Sequence, residues 1–131
     1  MNAVPERFPP STIKNFQNYI CPISGIKANG KNVPNQWVNC PLVEQPICYG
    51  LCLDLQSIAR DDEFDDHPYV DDFYKLAKKL NVDVLKLRKT CLNHQKKILI
   101  EMLNDEFYPY PGDKKESKVL LDWIVNLSNE L

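Results

Sequence analysis

The sequence predicts a mainly α fold: a helical bundle behind a small, irregular or β N-terminal part rich in cysteine. Three observations predict it. Apolar residues recur at helical spacing in four stretches after Pro46. Before about residue 53 lie seven of the ten prolines, three of the four glycines and four of the five cysteines. The whole chain is 131 residues, the length of one domain, with an irregular part over 1–53 and a helical part over 54–131.

The elements follow in order. Residues 1–10 read as extended, and Ser11 after Pro9-Pro10 signals a short helix over 12–19. Residues 21–45 read as loops and short strands, with a turn at Asn29-Gly30 and a strand over 36–39 ending at Cys40-Pro41. A helix is expected from just after Pro46 to about Arg60, through Ile47, Leu51, Leu55 and Ile58. Pro68 opens another, with Val70, Phe73, Leu76, Ala77 and Leu80 as its stripe and Asn81 as its end. Asp83 caps a long helix to about Asn104, with Val84, Leu87, Cys91, Ile98 and Met102 on one face. An aromatic, proline-fixed turn over 107–112 precedes a last helix over 115–129, presenting Val119, Leu120, Trp123, Ile124 and Leu127.

Hydrophobic residues make up 44% and charged residues 26%, which excludes a disordered or low-complexity chain. No apolar run approaches the roughly 20 residues of a membrane span, and the first residues lack the apolar core of a secretory signal. With an odd number of cysteines, this points to a reducing cytoplasm rather than a disulfide framework.

The first 53 residues promise little regular structure with which to bury apolar area, so their thiols draw notice. Cys21, Cys40, Cys48 and Cys52 form the candidate metal site: thiolates from two Cys-Pro turns and one helix start suit a structural Zn²⁺, stapling a part that lacks a core. The same four fit buried free cysteines almost as well. Cys21-Pro22-Ile23-Ser24-Gly25 resembles half of a zinc knuckle, with Ser24 where a second cysteine would stand. Cys91 and His94, three apart on the long helix, have ligand spacing too, but Cys91 fits the apolar stripe better and His94 flanks a lysine-rich face. No phosphate loop, paired-histidine metal motif or nucleophile elbow occurs, so no enzyme is expected.

The net charge of −2 conceals a separation. Residues 54–72 carry eight acids against Arg60 alone, and residues 75–97 carry eight bases against Asp83 alone. Within the acidic run, Asp61, Asp62, Phe64, Asp65, Asp66 and Tyr69 suggest a partner-binding surface. Carboxylates would steer a basic protein, a toxin or a nucleic-acid enzyme for example, onto the two aromatic anchors. An inhibitor or immunity-type role follows from that charge logic. The plainer alternative is a solvated loop whose acids the lysine helices balance.

Residues 76–90, with Ala77, a turn after Leu80, Asp83 and a basic stretch beyond, resemble a helix-turn-helix DNA-binding segment. The resemblance implies nucleic-acid binding through residues 83–97, with Lys86, Arg88 and Lys89 at the groove or phosphates.

Overall fold

The computed structural model describes residues 7–29, 36–104 and 111–131. The fold is mainly α, with one small antiparallel sheet near the N-terminus. It divides into two compact units, Met1–Leu55 and Gln56–Leu131. No helix among the described residues is long and apolar enough to cross a membrane.

In the first unit, strands β1 (Arg7–Phe8), β2 (Trp37–Cys40) and β3 (Gln45–Cys48) lie in the order β1-β2-β3. Trp37 pairs with Phe8 on one side and Cys48 on the other, and Val38 with Arg7 and Ile47. The β2–β3 turn is closed by Glu44 N–H donating to the Cys40 carbonyl (2.8 Å), with Glu44 left-handed at φ 56°. The expected strand at 36–39 is therefore present, shifted by one residue.

Two expectations fail here. The helix over 12–19 is replaced by two single 3₁₀ turns, Pro10–Thr12 and Phe16–Asn18, because Asn15 between them is left-handed at φ 60°. The helix expected from Pro46 begins only at Tyr49, as α1 (Tyr49–Ala59). Residues 45–48 instead add an edge strand, where Pro46, opposite Asn39, removes no needed ladder donor. The Asn29-Gly30 turn lies partly outside the described residues.

This unit does have an apolar core. Trp37 and Val38 are fully buried, and Phe8, Ile13, Ala28, Ile47 and Leu55 of the same unit are buried as well. Tyr19 meets Trp37 edge-on, with centroids 6.0 Å apart, and its hydroxyl donates to the Pro46 carbonyl at 2.6 Å. The premise that this part needs a staple for want of a core is thus not met.

The second unit contains α2 (Val70–Leu80), α3 (Val84–Leu103) and α4 (Pro111–Glu130). Phe73, Leu76 and Ala77 of α2 are buried as the stripe requires. Asn81 terminates α2 in the left-handed region, φ 56° and ψ 46°, its N–H reaching the Ala77 and Lys78 carbonyls. Asp83 opens α3 through its backbone carbonyl, which accepts from Leu87 N–H at 3.0 Å; its side chain makes no cap bond. On α3 the buried face is Leu87, Leu92, His94, Gln95, Ile98 and Leu99, so Cys91 is only half-buried. On α4 the buried positions are Ser117, Leu121 and Ile124. That stripe is rotated from the one expected and leaves Val119 and Trp123 outside. The aromatic turn over 107–112 lies largely outside the described residues.

Candidate functional site

Two clusters of functional side chains emerge, one in each unit. The first is a thiol pair. Cys21 follows the isolated bridge Ile20↔Lys27 and opens a tight loop. Its N–H donates to the Ile26 carbonyl (2.8 Å) and its carbonyl accepts from Gly25 N–H (3.0 Å). Gly25 takes φ +76°, a conformation that a side chain would strain. The loop turns Ser24 back, so that its N–H meets Cys21 Sγ at 3.4 Å while its Oγ lies 3.8 Å from Cys48 Sγ.

Cys48 ends β3 immediately before α1, and its sulfur accepts from Leu51 N–H. Its thiol and its backbone N–H both donate to Cys21 Sγ. These donors, led by the Cys48 thiol and joined by Ser24, outweigh burial and draw the Cys21 thiol down to about 4. Cys48 is pushed up in turn, first by its bond to Cys21 and then by burial.

Of the four candidate ligands, the structure pairs Cys21 with Cys48. Cys40 stands half-buried opposite Gln45, and Cys52 is buried one turn inside α1. Among the described residues, no group of three or more histidines, cysteines or carboxylates is placed to hold a metal ion. Cys48 stands immediately before α1 and Cys52 within its first turn, so both lie at the helix start that the sequence suggested. Cys91 and His94 belong to α3 of the second unit. The residue that the sequence undervalued is Ser24. Its place in Cys21-Pro-Ile-Ser24 was visible, but its bridging of two sulfurs depends on β3, 24 positions away.

The second cluster surrounds the acidic segment. Phe64 starts a 3₁₀ turn (Phe64–Asp66) and is not a free anchor: it is 8% exposed. Phe73 meets it edge-on at 5.3 Å, and the Arg88 guanidinium covers its other side, 4.4 Å from the ring centroid. An aromatic amid carboxylates has only its own face to bury, and the helices of this unit supply the partner for it. Tyr69 is 64% exposed and remains available. Asp65 accepts from the Tyr74 hydroxyl at 2.8 Å, and Asp61 from Glu63 N–H at 2.9 Å. Asp62 and Asp66 are exposed, as are Asp71 and Asp72. Among the described residues, none of the carboxylates at 61–72 forms an ion pair with a lysine of α2 or α3.

Beside this segment lies a groove of about 440 Å³ lined by Arg60, Asp61, Asp62, His67, Glu116 and Trp123, among others. Trp123 is 47% exposed, yet its indole N–H donates to the Arg60 carbonyl at 3.1 Å, which fixes the ring. Val119, on the same groove, is 65% exposed. Trp123 was expected in a core stripe, and nothing in the local pattern separates the two faces of α4.

The basic residues divide. Lys86 and Lys89 are exposed on α3. Arg88 is not available to phosphate: besides covering Phe64, its Nε donates to the Ala59 carbonyl (2.8 Å) and its Nη2 to the Asp61 carbonyl (2.9 Å). No family model matches the chain, and neither a curated protein nor a solved structure is found to match it.

Proposed function

We propose that this chain is a non-enzymatic protein-binding module that meets a basic partner surface through its acidic segment, with an inhibitor or immunity-type role as the concrete form. The observation that carries the reading is the row of carboxylates at 61–72, which among the described residues form no ion pair with a lysine of α2 or α3. Such a row raises a local negative potential, which accelerates encounter with a cationic protein and repels a duplex. The anchors are Tyr69 and Trp123 rather than Phe64, which is committed to packing. Aromatic side chains held still at a half-exposed site lose little freedom on binding. The reading through residues 83–97 retains Lys86 and Lys89 for nucleic acid but forfeits Arg88.

The test compares proteins captured by the full chain, by a D62K/D66K/D71K/D72K variant and by a K86E/K89E variant. A basic protein retained by the first and third and lost by the second is the expected result. Salt-dependent binding of duplex DNA that only the lysine variant loses would replace this reading with the nucleic-acid one.

A further inference from the structure

We propose that Cys21 and Cys48 form a reversible redox site, in which a peroxide oxidises Cys21 and Cys48 closes a disulfide with it. Two cysteines 27 positions apart in the chain are brought onto one serine, Ser24, which touches both sulfurs. Both are nearly sealed, 1% and 2% exposed. The Ser24 N–H points at Cys21 Sγ from 3.4 Å, while the Ser24 hydroxyl lies 3.8 Å from Cys48 Sγ, so one residue supplies polar contacts to both buried sulfurs. Donors converging on a sulfur stabilise a thiolate, and the lowered Cys21 thiol agrees with that placement. Cys21 opens a short turn whose Pro22, Ser24 and Gly25 are exposed, so the sulfur lies close in sequence to solvent-facing residues.

The chemistry balances in two steps. The Cys21 thiolate attacks one peroxide oxygen and the O–O bond breaks. The sulfur becomes a sulfenic acid, and the departing hydroxide leaves as water after taking a proton from solvent. The Cys48 sulfur, losing its proton, then attacks the Cys21 sulfur. The S–O bond breaks and a second water departs, leaving the disulfide. Two thiols and one hydrogen peroxide thus give one disulfide and two waters. A dithiol reductant reverses the change, returning both protons and both electrons to the sulfurs.

The experiment treats the full chain with hydrogen peroxide and maps its cysteines without reduction. The expected product is a Cys21–Cys48 link within one chain, reversed by dithiothreitol, with Cys21 consumed at least about tenfold faster than Cys40 or Cys91. Cys48→Ser should halt at a Cys21 sulfenic acid that dimedone traps, while Cys40→Ser and Cys91→Ser still form the link. A bond mapped to Cys48 and Cys52, or between chains, would overturn the proposal. So would a Cys21 oxidised no faster than Cys40, or bound zinc that withholds both thiols from peroxide. Mapping of the unaltered chain decides the pairing even if Cys48→Ser does not fold.

Discussion

The guanidinium of Arg88 sits 4.4 Å from the centroid of the Phe64 ring, binding the most acidic stretch of the chain to the basic helix α3. Its two hydrogen bonds end on backbone carbonyls, of Ala59 and Asp61, and not on carboxylates. Asp65 and Asp61 still favour its charge electrostatically, while its hydrogen bonds and ring contact make it part of the packing. Arg88→Ala removes a ring contact and two charge-assisted bonds to partly buried carbonyls. It should cost about 2–4 kcal/mol in urea unfolding. Arg88→Lys should recover little of this, because a point charge cannot form the fork. Wild-type stability in either variant would return Arg88 to the solvent-facing role that the sequence suggested.

Trp37 and the thiols offer a direct contest over what holds the first unit together. Trp37 is fully buried between Phe8 and Cys48 in the sheet register. Trp37→Ala should cost about 3–5 kcal/mol, as large aromatic truncations in cores do. A chelator should leave the melting temperature of the wild-type chain unchanged. A clear fall on chelation, with a small effect of Trp37→Ala, would reinstate a four-thiol zinc staple.

Asn81 carries the turn between α2 and α3 at φ 56°. Asn81→Gly should be neutral within about 0.5 kcal/mol, and Asn81→Ala should lose about 1 kcal/mol, since only the latter places a Cβ in a left-handed backbone with no side-chain compensation. Thermal melts of both variants measure the difference. Equal losses would show that the side chain of Asn81, rather than its backbone, closes the turn.

The thiol pair gives stability a pH dependence whose sign is fixed. Cys21 has a folded value near 4 against an ordinary thiol value of 9.0. Its contribution is complete above the unfolded value and is lost as the pH falls toward 4. Cys48 is shifted upward, so its contribution is complete below the unfolded value and is lost as the pH rises past it. Stability should therefore rise from acid toward the ordinary thiol range and decline beyond it. Chemical unfolding followed from pH 5 to 10 should show this rise, and Cys21→Ser should flatten it. An unchanged slope in the variant would assign the dependence to other groups.

Trp123→Ala should weaken capture of a basic partner by about tenfold or more while leaving the unfolding midpoint nearly unaltered, because the indole is half-exposed and lies outside the buried stripe of α4. A large loss of stability instead would make Trp123 a structural residue.

Legibility in the sequence followed the range of the interaction. Asn81 and Asp83 bracket a turn through local backbone preference, and both ends stand where their residue types place them. The strand at Trp37 was legible from its bulky residues ahead of Cys40-Pro41. Residues 45–48 misled because Pro46 suits a helix start locally, while pairing with β2 decides the outcome. Phe64 misled because its burial depends on Arg88, 24 positions onward. The stripe of α4 was misplaced because its sequence offers apolar residues on more than one face, and only packing chooses between them. Spacing among the four cysteines does not foretell that Ser24 comes to lie against Cys21 and Cys48 alone, because that meeting depends on the fold between them.

The chain has two tryptophans, and their settings are opposite: Trp37 is sealed in a sheet, and Trp123 stands half in water with its nitrogen tethered. Emission from the first reports the integrity of its unit, and emission from the second senses whatever enters the groove. With Trp37 changed to Phe, the remaining indole becomes an intrinsic optical probe. Quenching by acrylamide before and after a ligand is added would then follow occupancy without a dye.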